Sequence, residues 1–238
     1  MKNHGKLVIA ALLFAGVLAI AGCSSETSNG SSSNVLGTGS GAVTTPGTGT
    51  GPGGQPLLVR LGTDNLVGDD PPVYRKLWVA IVTDTVGNPV SGATVIFTLR
   101  SGRFLKGVYV LPPPPPFIPQ AWLQQATVLC PNEDLNNNGI LDPGEDINGN
   151  GLLDSLGHSA VNTTGMSDAS GVARATIVYP KDAATWSELT LVASSGVGTP
   201  ATATFFAVGL AADYSNLNIA PPGDISPFGA GNSCADTL

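Results

Sequence analysis

Charge is scarce in this 238-residue chain: Asp, Glu, Lys and Arg together make up 11% of it, and 10 basic residues stand against 17 acidic ones. A net charge of −7 with no cluster of Lys or Arg excludes a nucleic-acid surface, because phosphate contacts need concentrated positive charge. Histidine occurs only at His4 and His158, and cysteine only at Cys23, Cys130 and Cys234. No G-x-S-x-G elbow, H-E-x-x-H pair, glycine-rich phosphate loop or Cys/His cluster is present, so the reading is of a non-enzyme. His158, beside Gly157, reads as a solvated loop residue. A glycosidase-type carboxylate pair stays open, since its separation is a three-dimensional quantity. A long amphipathic helical pattern is also missing beyond the first segment. With 31 glycines and 19 prolines, that absence favours an all-β chain.

What is present centres on residues 77–99, LWVAIVTDTVGNPVSGATVIFTL. Leu77, Val79 and Ile81 alternate with Trp78, Ala80 and Val82, the period-two signal of a strand. Both sets are apolar, which predicts a strand buried on both faces. Val86, Gly87, Asn88 and Pro89 supply turn chemistry. The chain then reverses into a second run in which Ala93, Val95 and Phe97 alternate with Thr94, Ile96 and Thr98. Residues 57–61 suit a first strand and 108–111 a further one; 122–129 is ambiguous between strand and short helix. The five prolines from Pro112 to Pro116 favour a stiff polyproline II spacer.

The pattern V-x-D-x-x-G-N-P-V-x-G-A-x-V-x-F over 82–97 resembles the bacterial immunoglobulin-like domains of invasin- and intimin-type surface proteins. Residues 164–179, TGMSDASGVARATIVY, look like that family's hairpin, with Asp168, Ser170 and Gly171 in the turn, and 189–208 is similar to its closing strand pair. The resemblance implies an immunoglobulin-like β-sandwich over 56–209, interrupted in its middle, with a structural or adhesive role at a cell surface.

Residues 1–22 have the layout of a secretory signal peptide: Lys2 and Lys6, an apolar run, then small residues. Leu18-Ala19-Ile20-Ala21-Gly22-Cys23 resembles the bacterial lipobox, which implies that Cys23 carries acyl chains and becomes the first residue. Ser24 behind it, in place of Asp, resembles lipoproteins sorted to an outer membrane, which implies an anchor there on its cell-surface or its periplasmic face. Losing Lys2 and Lys6 takes two of the 10 basic residues and leaves eight against 17, a net charge near −9. Attachment to a membrane then rests on lipid and not on a basic patch. Residues 23–55, rich in Ser, Gly and Thr, read as a flexible tether with a reach of roughly 30 Å.

The sharpest chemical signal lies in an insertion over 131–158. DLNNNGILDPGE from Asp134 is followed without a gap by DINGNGLLDSLG from Asp146, a twelve-residue repeat. The first unit fits D-x-[DN]-x-[DN]-G-x5-E, the EF-hand type of calcium loop, in which alternate oxygen donors wrap a hard cation. It names Asp134, Asn136, Asn138, the carbonyl of Ile140, Asp142 and Glu145 as ligands. The second unit offers Asp146, Asn148, Asn150, the carbonyl of Leu152 and Asp154, but Gly157 replaces the closing Glu. It is therefore either a weaker site or one that shares ligands with the first. Pro131 and Pro143 argue against flanking helices, so the pair looks more like helix-poor thrombospondin type 3 or dockerin-like segments. Six carboxylates, from Glu133 to Asp154, with no Lys or Arg among them repel one another unless a cation intervenes. Calcium is the expected cofactor, bound toward the weak end, on the order of 10⁻⁴–10⁻³ M.

In an oxidising compartment Cys130 and Cys234 can bridge, fastening the Pro/Gly-rich tail 210–238 to the domain; two free thiols are the rival. The expected partners are a membrane, through the N-terminal lipid, and a protein or glycan at the surface. A polysaccharide- or small-ligand-binding module is the alternative, with Trp78, Trp122 and Trp186 as candidate platforms, although Trp78 sits where core is expected.

Overall fold

The structure, a computed structural model, describes residues 43–112, 121–155 and 157–237. The leader, Cys23 and most of the proline run lie outside them. Among the described residues no helix is long and apolar enough to cross a membrane.

Among the described residues twelve strands form two antiparallel sheets. They are β1 (Val43–Thr45), β2 (Gly47–Thr50), β3 (Pro56–Thr63), β4 (Gly68–Asp70), β5 (Val73–Asp84), β6 (Thr94–Val110), β7 (Leu123–Cys130), β8 (Ala160–Val161), β9 (Thr164–Met166), β10 (Val172–Pro180), β11 (Ser187–Ser194) and β12 (Ala201–Phe206). One short helix, α1 (Ala211–Ser215), follows. The first sheet runs β1-β12-β11-β6-β7 with β9 also on β6; the second runs β2-β3-β5-β10-β8 with β4 also on β5.

Alternation decides which side chains meet between the sheets. On β5 Tyr74, Trp78, Ala80 and Val82 are fully buried, and on β6 Val95 and Phe97 face them from the opposite sheet. Trp78 stacks on Phe205 of β12 with ring centroids 4.9 Å apart, so one contact spans both layers. The Trp78 indole N–H has no partner. Burying a ring of that size contributes about 4–6 kcal/mol at 25 cal/mol/Å², against a cost of about 1–3 kcal/mol for an orphaned donor. Burial wins. A second, smaller core joins Phe104, Tyr109, Cys130, Trp186 and Phe228 at one end of the first sheet.

Several expectations are corrected. The two runs around the turn are real strands, but β5 and β6 belong to different sheets and share no ladder; β5 pairs with β3 and β10, β6 with β11 and β7. The Asp84 carboxylate builds the turn by accepting the amides of Val86 and Asn88, at 3.0 and 2.8 Å, and this compact knot carries the chain across the core. The same holds for the 164–179 segment: its Asp168 turn forms, yet β9 lies on β6 and β10 on β5. β5 is not buried on both faces, since Leu77 and Ile81 are 40% and 41% exposed on the outer side. The expected strand at 108–111 is the end of β6, which runs unbroken for 17 residues and stops at Val110, and 123–130 is strand β7. The closing pair β11–β12 is an antiparallel hairpin as expected.

The tether ends earlier than Gln55. β1 pairs with β12 and, past Pro46, β2 pairs with β3, so this segment stitches the two sheets together. Its lack of large side chains, which made it read as linker, is what lets it fit: a Cβ at Gly49 would lie 1.7 Å from the Ser195 carbonyl oxygen.

Candidate functional site

Cys130 ends β7, and the insertion begins with the next residue. Among its described residues it holds no strand or helix between Pro131 and Ser159. Two bonds moor it to β6: Asn132 Nδ2 donates to the Ser101 carbonyl (3.4 Å) and Ser155 Oγ to the Gly102 carbonyl (2.8 Å). Arg103 and Glu188 flank the mooring, joined by Nη2–Oε1 and Nε–Oε2 contacts of 2.7 and 2.8 Å. Burial opposes ionisation of Glu188, but the Arg103 guanidinium outweighs it and holds the carboxyl below the usual carboxylate range.

Inside the insertion the two units repeat one set of bonds. In the first, Asp134 takes the amides of Asn138 and Gly139, each at 3.0 Å; in the second, Asp146 takes those of Asn150 and Gly151, at 3.0 and 2.9 Å. Asn136 Oδ1 accepts from Asn138 N as Asn148 Oδ1 accepts from Asn150 N, and Asn138 Oδ1 accepts from Ile140 N as Asn150 Oδ1 accepts from Leu152 N. The Nδ2 of Asn136 and of Asn138 converge on Asp142 Oδ2, and those of Asn148 and Asn150 converge on Asp154. Gly139 and Gly151, at the sixth position, have φ of +74° and +79°, a conformation that costs a side-chain-bearing residue and not glycine.

The closing carboxylate is where sequence reasoning stopped short. Glu145 Oε1 and Oε2 take the amides of Leu135 and Asp142, both at 3.0 Å, the second and ninth positions of its own unit. In the second unit the equivalent amides, of Ile147 and Asp154, go to Glu133 Oε1 and Oε2 at 3.2 and 2.9 Å. Glu133 thus fills the place that Gly157 leaves empty in the repeat. Each glutamate directly precedes the first aspartate of the unit it does not close, so each loop is closed by the residue just before the one that opens the other. The signal was present in Glu133-Asp134 and Glu145-Asp146, had the repeat been started one residue earlier.

Glu133, Asp134 and Glu145 are buried to 1%, 2% and 4% exposure, and no Lys or Arg lies between Lys106 and Arg174. Among the described residues no three His, Cys, Asp or Glu side chains form a ready-made metal cluster. The hydrogen-bond network of each loop instead runs through three carboxylates and two asparagine side-chain oxygens, donors of the all-oxygen kind that suits a hard cation and not a soft one. The side-chain oxygens that accept one amide each keep a lone pair for a second partner.

Neither a family model, a curated protein nor a solved structure matches this chain. The site therefore has to be read from its own residues.

Elsewhere the candidates divide. Cys130 and Cys234 are bonded, with Cα atoms 5.5 Å apart, which places the tail against the second core. Trp78 and Trp186 are fully buried, which removes both as ligand platforms; Trp122 is half-buried, with its indole N–H on the Asn216 carbonyl at 3.0 Å. His158 is exposed and meets Phe228 edge-on at 5.6 Å. Cys23 lies outside the described residues.

Proposed function

We propose that the chain is an exported, lipid-anchored module whose two-sheet, immunoglobulin-like body is displayed at a bacterial surface as a structural or adhesive element, with an insertion ordered by two calcium ions. The reciprocal closure of the loops by Glu133 and Glu145 carries the calcium part of this reading. It gives each loop three carboxylates, so the two sites are of one affinity class and the second is not the weaker. Asp134, Asn136, Asn138, the Ile140 carbonyl, Asp142 and Glu145 hold one ion; Asp146, Asn148, Asn150, the Leu152 carbonyl, Asp154 and Glu133 hold the other. Calcium supplies the positive charge that the buried carboxylates otherwise lack.

The export part is supported by the leader, the lipobox-like residues before Cys23 and a disulfide of the kind that persists outside the reducing cytosol. Lipid attachment fits the acidity of the chain, which gives it no charge attraction to anionic head groups. The immunoglobulin-like assignment is supported by two antiparallel sheets packed face to face, with Asp84 and Asp168 turns crossing between them. Proteolysis of intact cells tests the whole reading. Cleavage of the insertion by external protease only after chelation supports it; a chain untouched with or without chelator, and lacking acyl mass at Cys23, contradicts it.

A further inference from the structure

We infer that residues 210–237 are a thiol-labile strap: reduction of the Cys130–Cys234 bond frees them and uncovers a stretch of β6 edge. The tail fills a strand position. β11 pairs with β6 only from Ile96 to Phe104, and beyond it the tail takes over. Tyr109 N donates to the Asp224 carbonyl (2.7 Å), Ser226 N to the Gly107 carbonyl (3.0 Å) and Gly107 N to the Gly229 carbonyl (2.9 Å). Val108 and Ile225 form an antiparallel bridge, and Ser226 Oγ donates to the Leu105 carbonyl at 2.7 Å. An open strand edge is a template for pairing with other chains, and here the molecule's own C-terminal segment covers it.

The cross-link adds to a modest set of contacts. Phe228 is the segment's one fully buried large apolar side chain among the described residues, Tyr214 sets its ring beside Tyr109 with centroids 5.1 Å apart, Leu210 lies against the main core, and α1 is only five residues long. Asp213 pairs with Lys181 at 3.1 Å and accepts from the Tyr74 hydroxyl. The other anchors are hydrogen bonds, such as Trp186 Nε1 to the Gly223 carbonyl at 2.8 Å and the wholly buried Lys106 Nζ to the Asp236 carbonyl at 2.5 Å. Two rings, one ion pair and these bonds return less than the entropy of ordering so many residues. A cross-link between positions 104 residues apart shifts that balance by confining the freed end.

The two sulfurs are not equally open to attack. Cys130 has no exposure, whereas Cys234 is only partly covered. The thiolate of a dithiol reductant therefore bonds to the Cys234 sulfur. The Cys130–Cys234 bond breaks, and Cys130 leaves as thiolate and takes up a proton. The reductant's second thiol then displaces Cys234 and becomes the reductant's own disulfide. The protein gains two electrons and two protons and the dithiol loses them. The freed tail leaves the amides of Gly107 and Tyr109 without partners.

Hydrogen exchange on the full chain, oxidised and then treated with dithiothreitol, is the test. Amides of 210–237 and those of Gly107 and Tyr109 are expected to lose protection by more than an order of magnitude while β3, β5 and β10 keep theirs. The Cys234→Ser chain should show the same pattern with no reductant, and brief exposure to a monothiol should place the adduct on Cys234. A tail that stays protected after both sulfurs can be alkylated overturns the strap, as does loss of protection through every strand. An adduct on Cys130 overturns the order of attack.

Discussion

The two-sheet body and the insertion are ordered by opposite means. In the body, apolar side chains alternate inward along paired strands and polar groups are spent on ladders, so folding needs only water outside and methyl groups inside. Among the described residues of the insertion there is no strand, its exposed residues include Leu135, Ile140 and Leu152 at 63–65%, and what lies buried is polar, chiefly the carboxylates of Glu133, Asp134 and Glu145 with Asn148 and Ser155. Backbone amides satisfy those carboxylates' hydrogen bonds without cancelling their charge. One region is complete as a chain; the other, on the proposed reading, is completed by a counter-charge.

Substitutions can separate the two regions. Trp78→Ala removes the contact that spans the sheets and is expected to cost about 3–5 kcal/mol in denaturant unfolding, with calcium titration of the folded fraction unchanged. A change in calcium affinity would mean that the regions are coupled. Glu133→Gln should act the other way. It lowers affinity at one of two calcium sites by about 10–100-fold and leaves the unfolding midpoint in chelator where it was. Glu145→Gln should mirror it at the other site. Gly49→Ala puts a methyl group against the Ser195 carbonyl and should cost about 1–3 kcal/mol, showing that β1–β2 belongs to the body.

Arg103→Gln, at the mooring between the regions, carries the smallest effect, about 1 kcal/mol given the exposure of the Arg103 side chain. Glu188 titrates below its ordinary value when folded, so the contribution of the pair is present above the unfolded glutamate pKa and is lost as pH falls through the folded one. Parent and variant should therefore differ most near neutrality and converge in acid. A gap that widens on acidification would contradict the assignment.

Strand character was legible wherever alternation was strong, as at Trp78, Ala80 and Val82, and the closing pair could be read outright. Partnership could not. The turn at Asp84 looks the same whether the flanking strands pair or part to opposite sheets, because that depends on β6 finding β11, as Phe97 finds Ala193 across 95 intervening positions. The β1–β2 segment was invisible because its fit comes from what its glycines lack. The two loops were visible as a repeat, while Glu133 escaped because its partners, Ile147 and Asp154, lie in the other unit.

Calorimetric titration of the full chain with calcium addresses the central claim most directly. Reciprocally closed loops predict two equivalents per chain in one affinity class, falling to one strong equivalent in Glu133→Gln. A single equivalent in the parent chain, or no heat at millimolar calcium, would contradict the account.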